Sequence, residues 1–257
     1  MLRTIVLWLI AALSFTAIPP TSEAATDEAE IFERVATARS LFPPERIERL
    51  AAVLPPDREV RWRVRVPKHT TPPDVAPPGV LVFVSPASDA TLKRGWSDVL
   101  DEKHLIWIAA QDFGNAVPSN QRMLAALMGL ALVQQNHAVD PARVYISGMS
   151  GGGRVASMTV TLFPHLFTGA LYIVGADFWT TTDPALLALI TDKRYVFLTG
   201  AKDFNRKEMR QIYQRYLDAG ASRSLLMDLP RLGHEYPNAA ALKTAFEFLD
   251  ADHTSAR

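Results

Sequence analysis

The sequence predicts an α/β protein, with a mostly parallel central sheet and helices on both faces. Three observations predict it. Five short apolar runs, each four or five residues long or less, recur along the chain at 80–84, 105–109, 144–146, 170–174 and 195–198. Amphipathic or apolar stretches of helical length separate them. The runs do not alternate polar with apolar, as strands buried on both faces do not. Alternation of such strands with helices is the pattern of βαβ units.

The elements follow in chain order. Residues 28–42 and 44–53 read as two helices, because Ile31, Val35, Ala38 and Phe42, then Ile47, Leu50 and Val53, fall at helical spacing. Pro43 and Pro44 part them, and Pro55 and Pro56 end the second. Residues 59–66 alternate strictly, with Val60, Trp62, Val64 and Val66 on one face and Arg61, Arg63 and Arg65 on the other. That is a half-buried strand, whose arginine row reads as a solvated sheet edge guarded against aggregation. Proline-rich residues 68–78 are a loop. A sixth strand of the apolar series is expected at 224–229. Residues 121–135 are apolar nearly all round and predict a buried helix; 208–217 and 242–249 predict amphipathic ones, the former stopped by Gly220.

The N-terminus reads as an export signal. Arg3 precedes an apolar stretch from Thr4 to Ile18, Pro19 and Pro20 break it, and Ser22-Glu23-Ala24 places small residues where a signal peptidase cuts. The stretch is shorter than the roughly 20 residues that span a bilayer. The expected organisation is a signal peptide at 1–24, an N-terminal helical segment at 25–57 and the α/β domain at 58–257. The expected location is periplasmic or secreted, without stable membrane insertion after cleavage. Lys+Arg and Asp+Glu both number 27, so no polyanion such as nucleic acid is expected as a partner. The chain has no cysteine, which excludes disulfides, thiolate metal sites and a cysteine nucleophile.

Parallel sheets place their sites beyond the carboxyl ends of the strands. There the sequence sets Ser85-Pro86-Ala87-Ser88, Gln111 to Asn115, Ser150, Asp177, Asp203 and His234. Ser150 lies in Val144-Tyr145-Ile146-Ser147-Gly148-Met149-Ser150-Gly151-Gly152-Gly153, a strand, a glycine-flanked serine and a helix start. This is the form of a nucleophile elbow, whose turn is too tight for side chains beside the serine. A serine hydroxyl needs a base to accept its proton and an acid to orient that base. His234 and Asp203 supply them, with Asp177 the alternative acid. Two backbone donors are needed for an oxyanion: Gly151 N–H, at the start of the following helix, and Ala87 N–H, since Pro86 has none. Phe113, Phe178, Trp179 and Tyr236 are candidate pocket aromatics or core residues.

On the elbow, on Gly200-Ala201-Lys202-Asp203 and on Gly233-His234, the chain resembles the α/β-hydrolase superfamily, over roughly residues 80–249. More narrowly it resembles secreted serine esterases of the polyhydroxybutyrate-depolymerase and feruloyl-esterase type. The resemblance implies a Ser150–His234–Asp203 triad, Gly151 and Ala87 as oxyanion donors, and hydrolysis of small or oligomeric esters with no cofactor or metal. Many such enzymes carry His-Gly where this chain has Ser85-Pro86. A peptidase or thioesterase on the same triad, or a non-catalytic binding protein of the same fold, are the alternatives.

Overall fold

The computed structural model describes residues 31–68 and 76–251. The expected signal peptide at 1–24 and residues 69–75 of the expected proline-rich loop lie outside the described residues. Eight strands form one sheet: β1 (Ile31–Ala36), β2 (Val60–Arg65), β3 (Gly79–Val84), β4 (Leu105–Ala110), β5 (Val144–Met149), β6 (Gly169–Ile173), β7 (Arg194–Gly200) and β8 (Ser224–Leu229). Their spatial order is β1-β2-β4-β3-β5-β6-β7-β8. β1 pairs antiparallel with β2, and β2 antiparallel with β4; every other pair is parallel. The helices are α1 (Ala38–Leu41), α2 (Pro44–Ala51), α3 (Trp96–Glu102), α4 (Ser119–Asn136), α5 (Gly151–Leu162), α6 (Pro184–Thr191), α7 (Arg206–Asp218) and α8 (Ala239–Leu249). All six apolar strands expected from the sequence are present, as are the helices expected at 121–135, 208–217 and 242–249.

The parallel strands are buried on both faces, which is why they read as continuous apolar runs. Val80, Val82, Ile106, Ile108 and Ile146 face one core with Met128 and Leu132 of α4, Val155 of α5 and Met209 of α7. Leu81, Phe83, Trp107, Leu171 and Leu198 face the other, with Trp96 and Val99 of α3 and Leu242 and Phe246 of α8. At the sheet end away from the serine, Arg143 and the Tyr145 hydroxyl both bind the buried Asp250 carboxylate, at 3.1 and 2.6 Å. This fastens the end of α8 to β5.

The N-terminal segment corrects the expectation of a helix at 28–42. Residues 31–36 form strand β1, registered from Ile31 opposite Arg65 to Ala36 opposite Val60. The helical spacing misled because two of its apolar residues do not face the core: Ile31 and Val35 are each 54% exposed. β2 would otherwise leave a row of backbone donors and acceptors unpaired, and β1 satisfies them. Helix only begins at α1, where Thr37 and Ser40 form a reciprocal capping box. The segment at 25–57, expected to be helical, is therefore mixed over its described residues.

The arginine row is likewise not at the sheet edge, although Arg61 stays half exposed. β2 is the second strand, and Arg65 is buried against Asp101 at 2.7 Å. Arg61 pairs with Asp112 at 2.6 Å, and Arg63 with Asp89 at 3.3 Å. Among the described residues, no helix is long and apolar enough to cross a membrane.

Candidate active site

The elbow is built from glycines because backbone occupies every direction a side chain would take. Ser150 stands between β5 and α5 at φ 54° and ψ −120°, a left-handed conformation that non-glycine residues avoid unless their surroundings impose it. Its N–H donates to the Ile173 carbonyl of β6 at 2.8 Å. A Cβ on Gly152 would lie 2.0 Å from the Val84 carbonyl oxygen, and one on Gly175 would lie 2.3 Å from the Ser150 carbonyl oxygen. Neither neighbour is a flexible side-chain end. Gly152→Ala is therefore expected to lose about 3 kcal/mol of stability by overpacking. Gly233→Ala, whose new methyl meets nothing closer than 3.8 Å, should melt near wild type in the same calorimetric comparison.

Asp203 sits in the turn after β7, with its side chain fully buried. One carboxylate oxygen accepts from the Thr199 hydroxyl at 2.7 Å; the other accepts from the Asn205 backbone N–H at 3.0 Å. The same oxygen lies 2.8 Å from His234 Nδ1. His234 comes from the loop after β8, pinned where Lys202 N–H donates to the Leu232 carbonyl. Its Nε2 lies 2.8 Å from Ser150 Oγ. A carboxylate only accepts, so Nδ1 carries the proton toward Asp203 and Nε2 is left to accept from the serine hydroxyl. Three residues 31 and 84 positions apart along the chain thus form one hydrogen-bonded line.

Asp177 does not join it. Its carboxylate binds Arg154 at 3.0 Å, and Arg154 also binds Glu208 at 2.8 Å. The hydrogen bond to Glu208 leads in raising the Arg154 guanidinium above its ordinary pKa, and the same bond leads in lowering the Glu208 carboxyl.

On the opposite wall, Gly151 is the first residue of α5, where amides have no intrahelical acceptor. Ala87 lies where expected, in the loop after β3, but its N–H donates to Ser85 Oγ at 3.0 Å. The signal for this was in the sequence, since a serine two residues earlier closes such a turn. Burial raises the nearby Tyr236 hydroxyl above the ordinary tyrosine pKa, and Ser85 partly brings it back. The loop after β4 backs this wall. Asn115 N–H donates to the Pro86 carbonyl at 2.8 Å, and the Asn115 carboxamide fills the space beside Gly151, its Oδ1 2.3 Å from where a Cβ would stand.

Of the candidate pocket aromatics, Phe113 and Trp179 are buried in the core. Phe178 stacks on Trp179 at 4.2 Å, and the Arg215 guanidinium lies over the Phe178 ring at 4.0 Å. Tyr236 packs between Phe83, Trp96 and Lys93. Sequence reasoning missed Phe204, which stacks on the His234 ring with centroids 3.9 Å apart and is 77% exposed. Only its position next to Asp203 could have drawn notice.

A largely parallel sheet with this elbow, and with acid and histidine after later strands, is the α/β-hydrolase fold. Comparison with known proteins agrees. Residues 125–226, which include the elbow, match the prolyl oligopeptidase family. A 50-residue stretch is 34% identical to poly(3-hydroxyalkanoate) depolymerase C of Paucimonas lemoignei, covering 20% of this chain and 12% of the depolymerase. Among solved structures, a ferulic acid esterase superposes with a TM-score of 0.64 at 14% identity, over 87% of this chain and 97% of that one. S-formylglutathione hydrolase of Staphylococcus aureus superposes with a TM-score of 0.58 at 15% identity, over 91% and 100%.

Proposed function

We propose that the chain is a serine hydrolase that cleaves carboxylic esters through an acyl-enzyme. The observation that carries this reading is the line Ser150 Oγ–His234–Asp203, with 2.8 Å at each step. Ser150 Oγ attacks the ester carbonyl carbon while His234 Nε2 takes its proton. The carbonyl π electrons move to oxygen, and the oxyanion sits against the Gly151 N–H. Collapse breaks the bond to the alcohol oxygen, which leaves with the proton from His234. Water then repeats the sequence on the acyl-serine and releases the acid. Asp203 holds His234 Nδ1–H throughout and supports the imidazolium.

The second oxyanion donor in this reading is Ala87, whose N–H exchanges Ser85 Oγ for the oxyanion. The exposed Phe204 ring beside His234 provides an apolar contact for a substrate entering there. Action follows export, in the periplasm or outside the cell, on small or oligomeric esters.

A peptidase on the same residues is the second reading, favoured by the match to the prolyl oligopeptidase family over 125–226. A panel of p-nitrophenyl esters and peptidyl p-nitroanilides, assayed with purified protein, separates the two. Faster turnover of the esters is expected. Turnover of anilides alone would replace the ester reading with the peptidase one.

A further inference from the structure

Arg122 is buried, 4% exposed, in the first turns of α4. Its guanidinium donates to three backbone carbonyls from three separate segments: Ser85 at 2.9 Å, Phe113 at 3.1 Å and Gly151, at the start of α5, at 3.4 Å. These segments follow β3, β4 and β5, and they make the wall that faces His234 across Ser150. Among the described residues, no carboxylate pairs with it. Burial alone lowers the guanidinium below its ordinary pKa, yet arginine remains charged at any working pH. A buried cation without an anion is costly, and a methionine of similar length would fill the space without that cost. Local sacrifices of this kind are expected at functional sites. On the serine-hydrolase reading, a balancing negative charge forms when a carbonyl oxygen becomes an oxyanion beside Gly151.

We infer that Arg122 is the positioning residue of the oxyanion wall: it fixes the Ser85, Phe113 and Gly151 peptides in register and places an unpaired positive charge behind the oxyanion. The inference rests on the serine-hydrolase reading above. Its contribution is made in the transition state and not in substrate binding, so it moves kcat and leaves KM nearly unchanged.

The test is the second-order rate at which a fluorophosphonate labels Ser150, measured beside the melting temperature of each variant. Phosphonylation builds negative charge on the same wall and needs no knowledge of the natural ester. Arg122→Ala is expected to label about 10²-fold more slowly, the scale of one lost oxyanion donor. Millimolar guanidinium, too dilute to denature, should restore a large part of that rate. A labelling rate within twofold of wild type, or a reduced rate that guanidinium leaves unchanged, overturns the inference. If Arg122→Ala does not fold, Arg122→Lys decides. It keeps the charge but not the three-way fork, and should label about tenfold more slowly; a wild-type rate overturns the inference. An unlabelled wild-type protein would instead sink the hydrolase reading itself, so the two failures are distinguishable.

Discussion

Ser150→Ala is expected to abolish fluorophosphonate labelling and to lower ester turnover by about 10⁶-fold, because removing the nucleophile of a coupled triad costs as much as removing all of it. The substitution should leave the melting temperature close to wild type. Ser150 holds its strained backbone, at φ 54°, through the contacts of Gly152 and Gly175 and through its own N–H bond to Ile173. None of these uses the hydroxyl. Active-site labelling followed by intact mass measurement checks the first part, and calorimetry the second. A labelled Ser150→Ala protein, or one that turns over p-nitrophenyl esters at the wild-type rate, would remove Ser150 from the mechanism.

Asp203→Asn should lower kcat by about 10⁴-fold. The carboxamide has the shape of the carboxylate, but its NH₂ group offers Nδ1 a donor where the histidine needs an acceptor. The imidazole then favours the tautomer whose Nε2 cannot take the serine proton. The change is buried, since Asp203 accepts from Thr199 and Asn205 as well as from His234, so some stability is lost too. Asp177→Asn is the informative control. Asp177 is tied to Arg154, which keeps Glu208 as a second carboxylate partner, so turnover should stay within a fewfold of wild type. The comparison is read from kcat on one ester at fixed pH. A larger loss in Asp177→Asn than in Asp203→Asn would reassign the acid.

How much was legible depended on how local each signal was. The parallel strands were readable because burial on both faces demands uninterrupted apolar runs, as in Val80 to Val84, and no partner strand need be known to see that. The elbow was readable because its turn excludes side chains at Gly148 and Gly152, a constraint confined to a few residues. β1 was not readable. Its six residues carry no alternation, and two of its large apolar side chains point to solvent. They form a strand because β2 lies beside them, 24 to 34 positions away in the register, with its backbone groups unpaired.

The wall proposed for the oxyanion divides in the same way. Gly151 was a candidate from its place after the serine, and Ala87 from the absence of an N–H on Pro86. That the Ala87 amide is held by Ser85 Oγ is a local turn that the sequence contained but did not force. Arg122 carried no signal at all, since an arginine near the start of an apolar helix most often reaches solvent. Its three carbonyl partners come from positions 85, 113 and 151, and only the packed loops bring them together.

By itself, then, the sequence determined the fold class, the turn that carries Ser150 and the order of Ser150, Asp203 and His234 at strand ends. Each of these is written in residue types and short spacings: apolar runs that must be buried, glycines that backbone contact requires, and polar residues that follow strands. The tertiary structure decided which acid meets His234, which strand closes the sheet edge, what holds the loop from Ser85 to Ala87 and which ring covers the histidine. Those outcomes depend on distances of a few ångströms between segments far apart in the chain, and such distances exist only once the two cores have packed the loops against one another.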